Sequence, residues 1–112
     1  MKNLFIFVFI TYIFINATNA QKVFSTDHSN LADVNVFVVD HENLADLKVY
    51  KVKHNNLAGD NNGVWFFTDH ANLADKRIFF VEHSNLADIK VFFVKHKNLA
   101  GWRDKSKTHF MY

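Results

Sequence analysis

Apolar and polar positions alternate along this chain in short bursts, and the bursts return at a fixed interval. Lys48-Val49-Tyr50-Lys51-Val52-Lys53 is typical: β-branched and aromatic residues separated by polar ones, the pattern of a strand. After each burst comes the segment His-x-Asn-Leu-Ala-(Asp/Gly), in six copies: His28–Asp33, His41–Asp46, His54–Gly59, His70–Asp75, His83–Asp88 and His96–Gly101. The histidines step by 13, 13, 16, 13 and 13 residues, so the unit is 13 long with one three-residue insertion. A fixed period means one small structural unit reused, each copy unable to bury its apolar face alone.

Alignment on the histidines gives a template. Four residues before each His stands an aromatic: Phe24, Phe37, Tyr50, Phe66, Phe79 and Phe92. One residue earlier is apolar throughout: Val23, Val36, Val49, Trp65, Ile78 and Val91. Two before each His is a β-branched residue, from Thr26 to Val94. Side chains alternate faces along a strand, so Tyr50 and Val52 share one face while Val49 and Lys51 share the other. The aromatic and β-branched face is the expected core face. The opposite face, with Ser25, Val38, Lys51, Phe67, Phe80 and Phe93 at one shared position, is mixed. In the turns, Asn and Asp are expected to use left-handed backbone or to cap through their own side chains. The Leu and Ala between them are expected to fold under and plug the core.

Six short strands with turn chemistry between them predict an all-β fold, one small domain of six strand-turn repeats. A helical reading fails, because the apolar runs are too short and too β-branched. Copies three and six share Lys before the His (Lys53, Lys95) and Gly at the end (Gly59, Gly101). The repeats therefore form a duplicated triplet, Val23–Gly59 and Trp65–Gly101, joined at Asp60-Asn61-Asn62-Gly63. Both halves are expected to fold together, since three such strands make a poor core alone. The pattern itself suits a six-bladed β-prism or a small barrel.

The start of the chain changes the picture of what folds. Met1-Lys2-Asn3 is a short basic start, Leu4 to Ile15 is almost unbroken apolar, and Asn16 to Ala20 is small and polar. Residues 1–20 thus read as a signal peptide cleaved before Gln21, and the apolar run is short of the roughly 20 residues a membrane span needs. The expected mature chain, 21–112, is exported, with the repeat domain over 21–102 and a basic tail over 103–112. That tail (Arg103, Lys105 and Lys107 against Asp104) is expected to be a solvated end. Without Lys2, twelve basic residues face eleven acidic ones, which gives no one-signed face for nucleic acid. There is no cysteine, unusual for a small secreted domain, and no proline. The one Asn-x-Thr acceptor, Asn16-Ala17-Thr18, lies in the leader, so no N-glycan is expected on the mature chain.

Three runs, Leu47-Lys48-Val49-Tyr50-Lys51-Val52-Lys53, Gly63-Val64-Trp65-Phe66-Phe67-Thr68-Asp69 and Ile89-Lys90-Val91-Phe92-Phe93-Val94-Lys95, resemble the septoil-knot (7₁ knot) domain family. So do the Ala-Asp pairs that close the repeats and the terminal Ala100-Gly101-Trp102. The resemblance covers roughly 22–102. It implies a small, internally repeated β domain whose backbone is threaded into a knot, and it brings no biochemical activity with it. The recurrent His is a departure, other polar or aromatic residues being expected there in the family.

Candidate chemistry rests on two sets of residues. His28, His41, His54, His70, His83 and His96 are equivalent and could form a ring or two facing triplets of metal ligands. Against this, a carboxylate directly before a His points to the opposite strand face, and the spacing lacks a closed ligand motif. The favoured reading is a strand-end or turn histidine. Protonation of all seven histidines between neutral and endosomal pH would add up to seven charges. Phe67, Phe80 and Phe93 are the candidates for an exposed apolar patch, or for a face that the second triplet simply buries better. No phosphate loop, cysteine or nucleophile elbow is present, and six equivalent copies argue against one tuned catalytic site. The expected protein is a secreted, non-catalytic, very stable binding or structural domain, monomeric and without a cofactor. A metal- or pH-responsive binder comes second and a repeat lectin third.

Overall fold

The computed structural model describes residues 21–54 and 61–112. The leader reading of 1–20 and the closing Gly59 of the third repeat lie outside them. Seven strands follow one another: β1 (Gln21–Ser25), β2 (Val34–Val38), β3 (Leu47–Val52), β4 (Val64–Phe67), β5 (Lys76–Phe80), β6 (Ile89–Phe93) and the short β7 (Gly101–Trp102). The sheet order is β4-β1-β5-β2-β6-β3-β7, and β4 also pairs with β3. Strands β1 to β6 therefore close into a six-stranded barrel in which every pairing is parallel; β7 adds on antiparallel to β3.

The two triplets alternate around this ring. Each strand of the first triplet lies between strands of the second, and no barrel strand pairs with another from its own half. Consecutive strands within a triplet are thus not neighbours. The link from β1 to β2 must pass over β5, and eight residues, 26–33, suffice because the gap is only two strand spacings, about 10 Å. The links that follow β1, β2, β4, β5 and β6 each hold a short 3₁₀ turn: Ser29–Leu31, Glu42–Leu44, Ala71–Leu73, Ser84–Leu86 and Lys97–Leu99. The His carbonyl accepts from the Leu N–H in each turn, at 3.0–3.1 Å.

The core reverses the expected choice of strand face. Val23, Val36, Val49, Trp65, Ile78 and Val91, the residues just before the aromatic column, are fully buried and form the middle layer of the interior. Val34, Leu47 and Ile89, two residues earlier, lie beside them in the same core. The aromatic column itself faces outward and is half-buried. Parallel sheets are covered on both faces, so both strand faces read as apolar and alternation alone cannot say which is inside. Here the covering layer is the set of links passing over the strands.

Two further expectations are corrected. The turn leucines do not plug the core: Leu31, Leu44, Leu73, Leu86 and Leu99 are 43–57% exposed. The short 3₁₀ turn holds them on the outer surface of the link, above the strand it crosses. Nor is the tail a solvated end. Asp104 caps a 3₁₀ helix, Lys105–Met111, that closes one end of the barrel with Met111 buried in the core cluster. Gln21 Nε2 donates to the Met111 carbonyl at 2.8 Å, and the Arg103 and Asp104 N–H groups donate to the Asp46 carbonyl.

Candidate functional site

The strongest recurring geometry belongs to the aspartates that close the repeats. Asp33 donates its N–H to the Arg77 carbonyl at 2.8 Å, and its Oδ2 accepts the Arg77 N–H at 2.9 Å. Asp46 does the same to Lys90, Asp75 to Lys22 and Asp88 to Asn35, with both bonds 2.8 Å each time. Each aspartate thus grips one residue of the strand beneath its link through both backbone polar groups. The other side of the grip is the N–H of the β-branched residue that opens the link: Thr26 donates to Ile78, Val39 to Val91, Thr68 to Val23 and Val81 to Val36. These aspartates were expected to use left-handed backbone or to cap turns through their own side chains. Their side chains do accept backbone N–H groups, but on the strand that the link crosses, and Asn61 is the one non-glycine with positive φ among the described residues. Their conjunction with a 13-residue period was the available signal, but only the strand order gives them partners.

Where the last repeat has Gly101 in place of Asp, the backbone itself pairs with Lys48 as β7. Gly63 meets the same region. A side chain there would press on the Lys48 carbonyl oxygen and come within 2.9 Å of the Gly101 nitrogen, and φ is +88°. Only glycine fits this close approach of three chain segments.

The histidines are placed alike. His28, His41, His70, His83 and His96 precede the 3₁₀ turns in extended conformation, their side chains are exposed, and none caps its turn. His54 is exposed as well. Among the described residues no three His, Asp or Glu side chains come together as a set that could hold a metal ion. His41 lines an open cavity of about 410 Å³ with Glu42, Asn43 and Arg103. Arg103 is fixed there by bonds from its guanidinium to the Glu42 and Ala45 carbonyls, 3.2 Å each.

Phe67, Phe80 and Phe93 end their strands at one mouth of the barrel, half-buried and packed against the core cluster. They alternate around the mouth with the exposed Ser25, Val38 and Lys51. The Lys51 ammonium lies 4.5 Å from the ring centre of Phe93 and 5.2 Å from that of Phe67, a cation–π lid over the aromatic mouth. Beneath it Phe67 meets Trp65 edge-on, with ring centres 5.9 Å apart. The second triplet therefore fills this face with phenylalanines that pack inward, and the three rings do not form a free-standing apolar patch.

The chain is thus a small barrel of interleaved parallel strands built from 13-residue repeats. The model of the 7(1) septoil knot domain matches residues 20–103, and the chain belongs to that family. No curated protein and no solved structure matches it. Among the described residues no helix is long and apolar enough to cross a membrane.

Proposed function

We propose that this chain is an exported, non-catalytic domain whose task is to hold its shape, and any surface it presents, in an extracellular fluid without disulfides. One observation supports this above the rest: each described crossing is gripped at both ends by backbone hydrogen bonds to a strand of the other triplet. Opening one link frees no strand, because the strand below and the strands beside it stay bonded elsewhere. A knotted path, as the family's name implies, adds a kinetic barrier to the same end. Equivalent, exposed turns also suit a scaffold better than a tuned catalytic centre, which needs one differentiated environment.

The test is kinetic. Purified 21–112 carries many exposed lysines, so trypsin cleavage under native conditions reports on opening. Resistance over days, with a similarly slow unfolding limb in denaturant, is the expected result. Cleavage within minutes inside the barrel strands would sink the proposal.

The second reading, a metal- or pH-responsive binder, draws on the exposure of every described turn histidine. Thermal midpoints at about pH 7.5 and pH 5.5, with chelator and with Zn²⁺ or Cu²⁺, separate the readings, since a ligand of the native state must raise the midpoint. A metal-specific rise that disappears when the histidines are replaced selects the binder.

A further inference from the structure

Six equivalent turns cannot make a unique site, but the place where the repeat breaks can. There Asn61 and Asn62 of the inter-triplet joint, the last turn and the tail border an open cleft of about 380 Å³, within the usual size of a small-molecule site. Trp102 forms one wall. Its indole packs partly against the core, and its Nε1 donates to the carbonyl and the side-chain oxygen of Asn61 at 3.1 and 3.2 Å. The ring is thereby fixed in orientation where it lines the cavity. Asn61, held at φ +30°, also donates from Nδ2 to the Thr108 carbonyl and so ties the joint to the tail.

The polar lining is one-sided. Lys97 and Lys105 both line the cavity, and neither is in an ion pair among the described residues. The Asn62 side-chain oxygen is taken by the Val64 N–H, which leaves its amide N–H₂ to donate. The Asn61 oxygens and the Thr108 carbonyl each already accept a hydrogen bond, and among the described residues no carboxylate is in the lining. The cavity therefore offers cationic and neutral donors beside a fixed aromatic surface.

We infer that this cavity binds a small ring compound bearing a carboxylate, the ring lying on Trp102 and the carboxylate meeting Lys97 and Lys105. A uronic acid sugar and an aromatic acid share that chemistry. The site does not depend on the scaffold reading, because only the sixth turn meets the joint and the tail, and that meeting occurs once in the chain.

The chain contains a built-in control. Trp65 is fully buried inside the barrel and Trp102 is half-exposed, so their indole N–H signals in a ¹⁵N–¹H spectrum report on different places. Titration of 21–112 with glucuronate and with benzoate, each against its neutral amide, should move the Trp102 signal and leave Trp65 still. A response to glucuronate alone assigns a sugar, and one to benzoate alone assigns an aromatic acid. The double variant Lys97→Gln, Lys105→Gln changes only exposed side chains and should weaken binding about tenfold or more. No shift with either acid, equal shifts with the amides, or an unweakened double variant would each overturn the assignment.

Discussion

Asp88 shows what one residue contributes to a fold of this kind. Its carboxylate accepts the Asn35 N–H and its own N–H donates to the Asn35 carbonyl, so a single side chain completes a two-point grip across the sheet. Replacement by alanine leaves the Asn35 N–H without its acceptor under a half-buried link. Asp88→Ala should cost about 1–3 kcal/mol, while Asp88→Asn, which keeps an oxygen in place, should cost less than half of that. Urea denaturation midpoints of the two variants measure the difference. The sequence marked Asp88 and its equivalents by period, but their partners lie 44 or 53 positions away and become visible only with the strand order. The histidines are the opposite case: conspicuous in the sequence, exposed in the structure, and brought into no cluster of three among the described residues.

At the level of elements, the six repeat strands and the turns between them were legible, because β-branched runs and His-x-Asn-Leu-Ala punctuate the chain, whereas the short β7 and the 3₁₀ tail were not. The facing of the strands was not. Val36 and Phe37 are both apolar, and in a parallel barrel with a covering layer each has something to pack on. Val36 is buried completely and Phe37 by half. The tail was misread for a similar reason. Its charges, Arg103, Lys105 and Lys107, were plain, whereas the single methionine that enters the core had no period to reveal it. Met111→Ala should remove about 2–5 kcal/mol, seen as a fall in the thermal midpoint. Docking of this tail should also depend on pH through its cap. The side-chain hydroxyl and then the backbone N–H of Ser106, with Lys107 nearby, hold the Asp104 carboxyl below the ordinary aspartate range. Stabilisation by Asp104 is therefore complete at neutral pH and is lost as pH falls through the docked value. Protection factors of the Phe110 and Met111 amides, measured against the intrinsic exchange rate at each pH, should fall in acid, and Asp104→Asn should flatten that dependence.

For the molecule as a whole, the interleaving of the triplets decides how it can fold. All six barrel pairings join strands of different halves, and all but β3–β4 bring together residues 44 or 53 positions apart. Folding should be slow, in the range of milliseconds to seconds or longer, as for other domains dominated by non-local contacts. A stronger expectation concerns the halves. A chain of 21–59 contains β1, β2 and β3, none of which pairs with another of the three. As a monomer it should show the circular dichroism of an unfolded chain at any temperature. A folded monomeric half would contradict the interleaved order. The sequence reading did anticipate that the halves fold together, though from the weakness of a three-stranded core and not from the absence of pairing within each half.

The three-residue insertion acquires a meaning from this order. Numbering the places around the ring from zero to five, the chain enters at zero and moves two places at each link, to two and then four. Another move of two would bring it back to its own first strand. Strict periodicity on a ring of even number can visit only half of the places. The joint instead moves one place, from β3 to the adjacent β4, and the same rule of two then fills places five, one and three. The longer interval between His54 and His70, with Gly63 in the tight approach to Lys48, is the change of parity that lets one chain complete the ring. A perfectly regular version of this sequence would leave alternate places vacant, to be filled only by a second molecule.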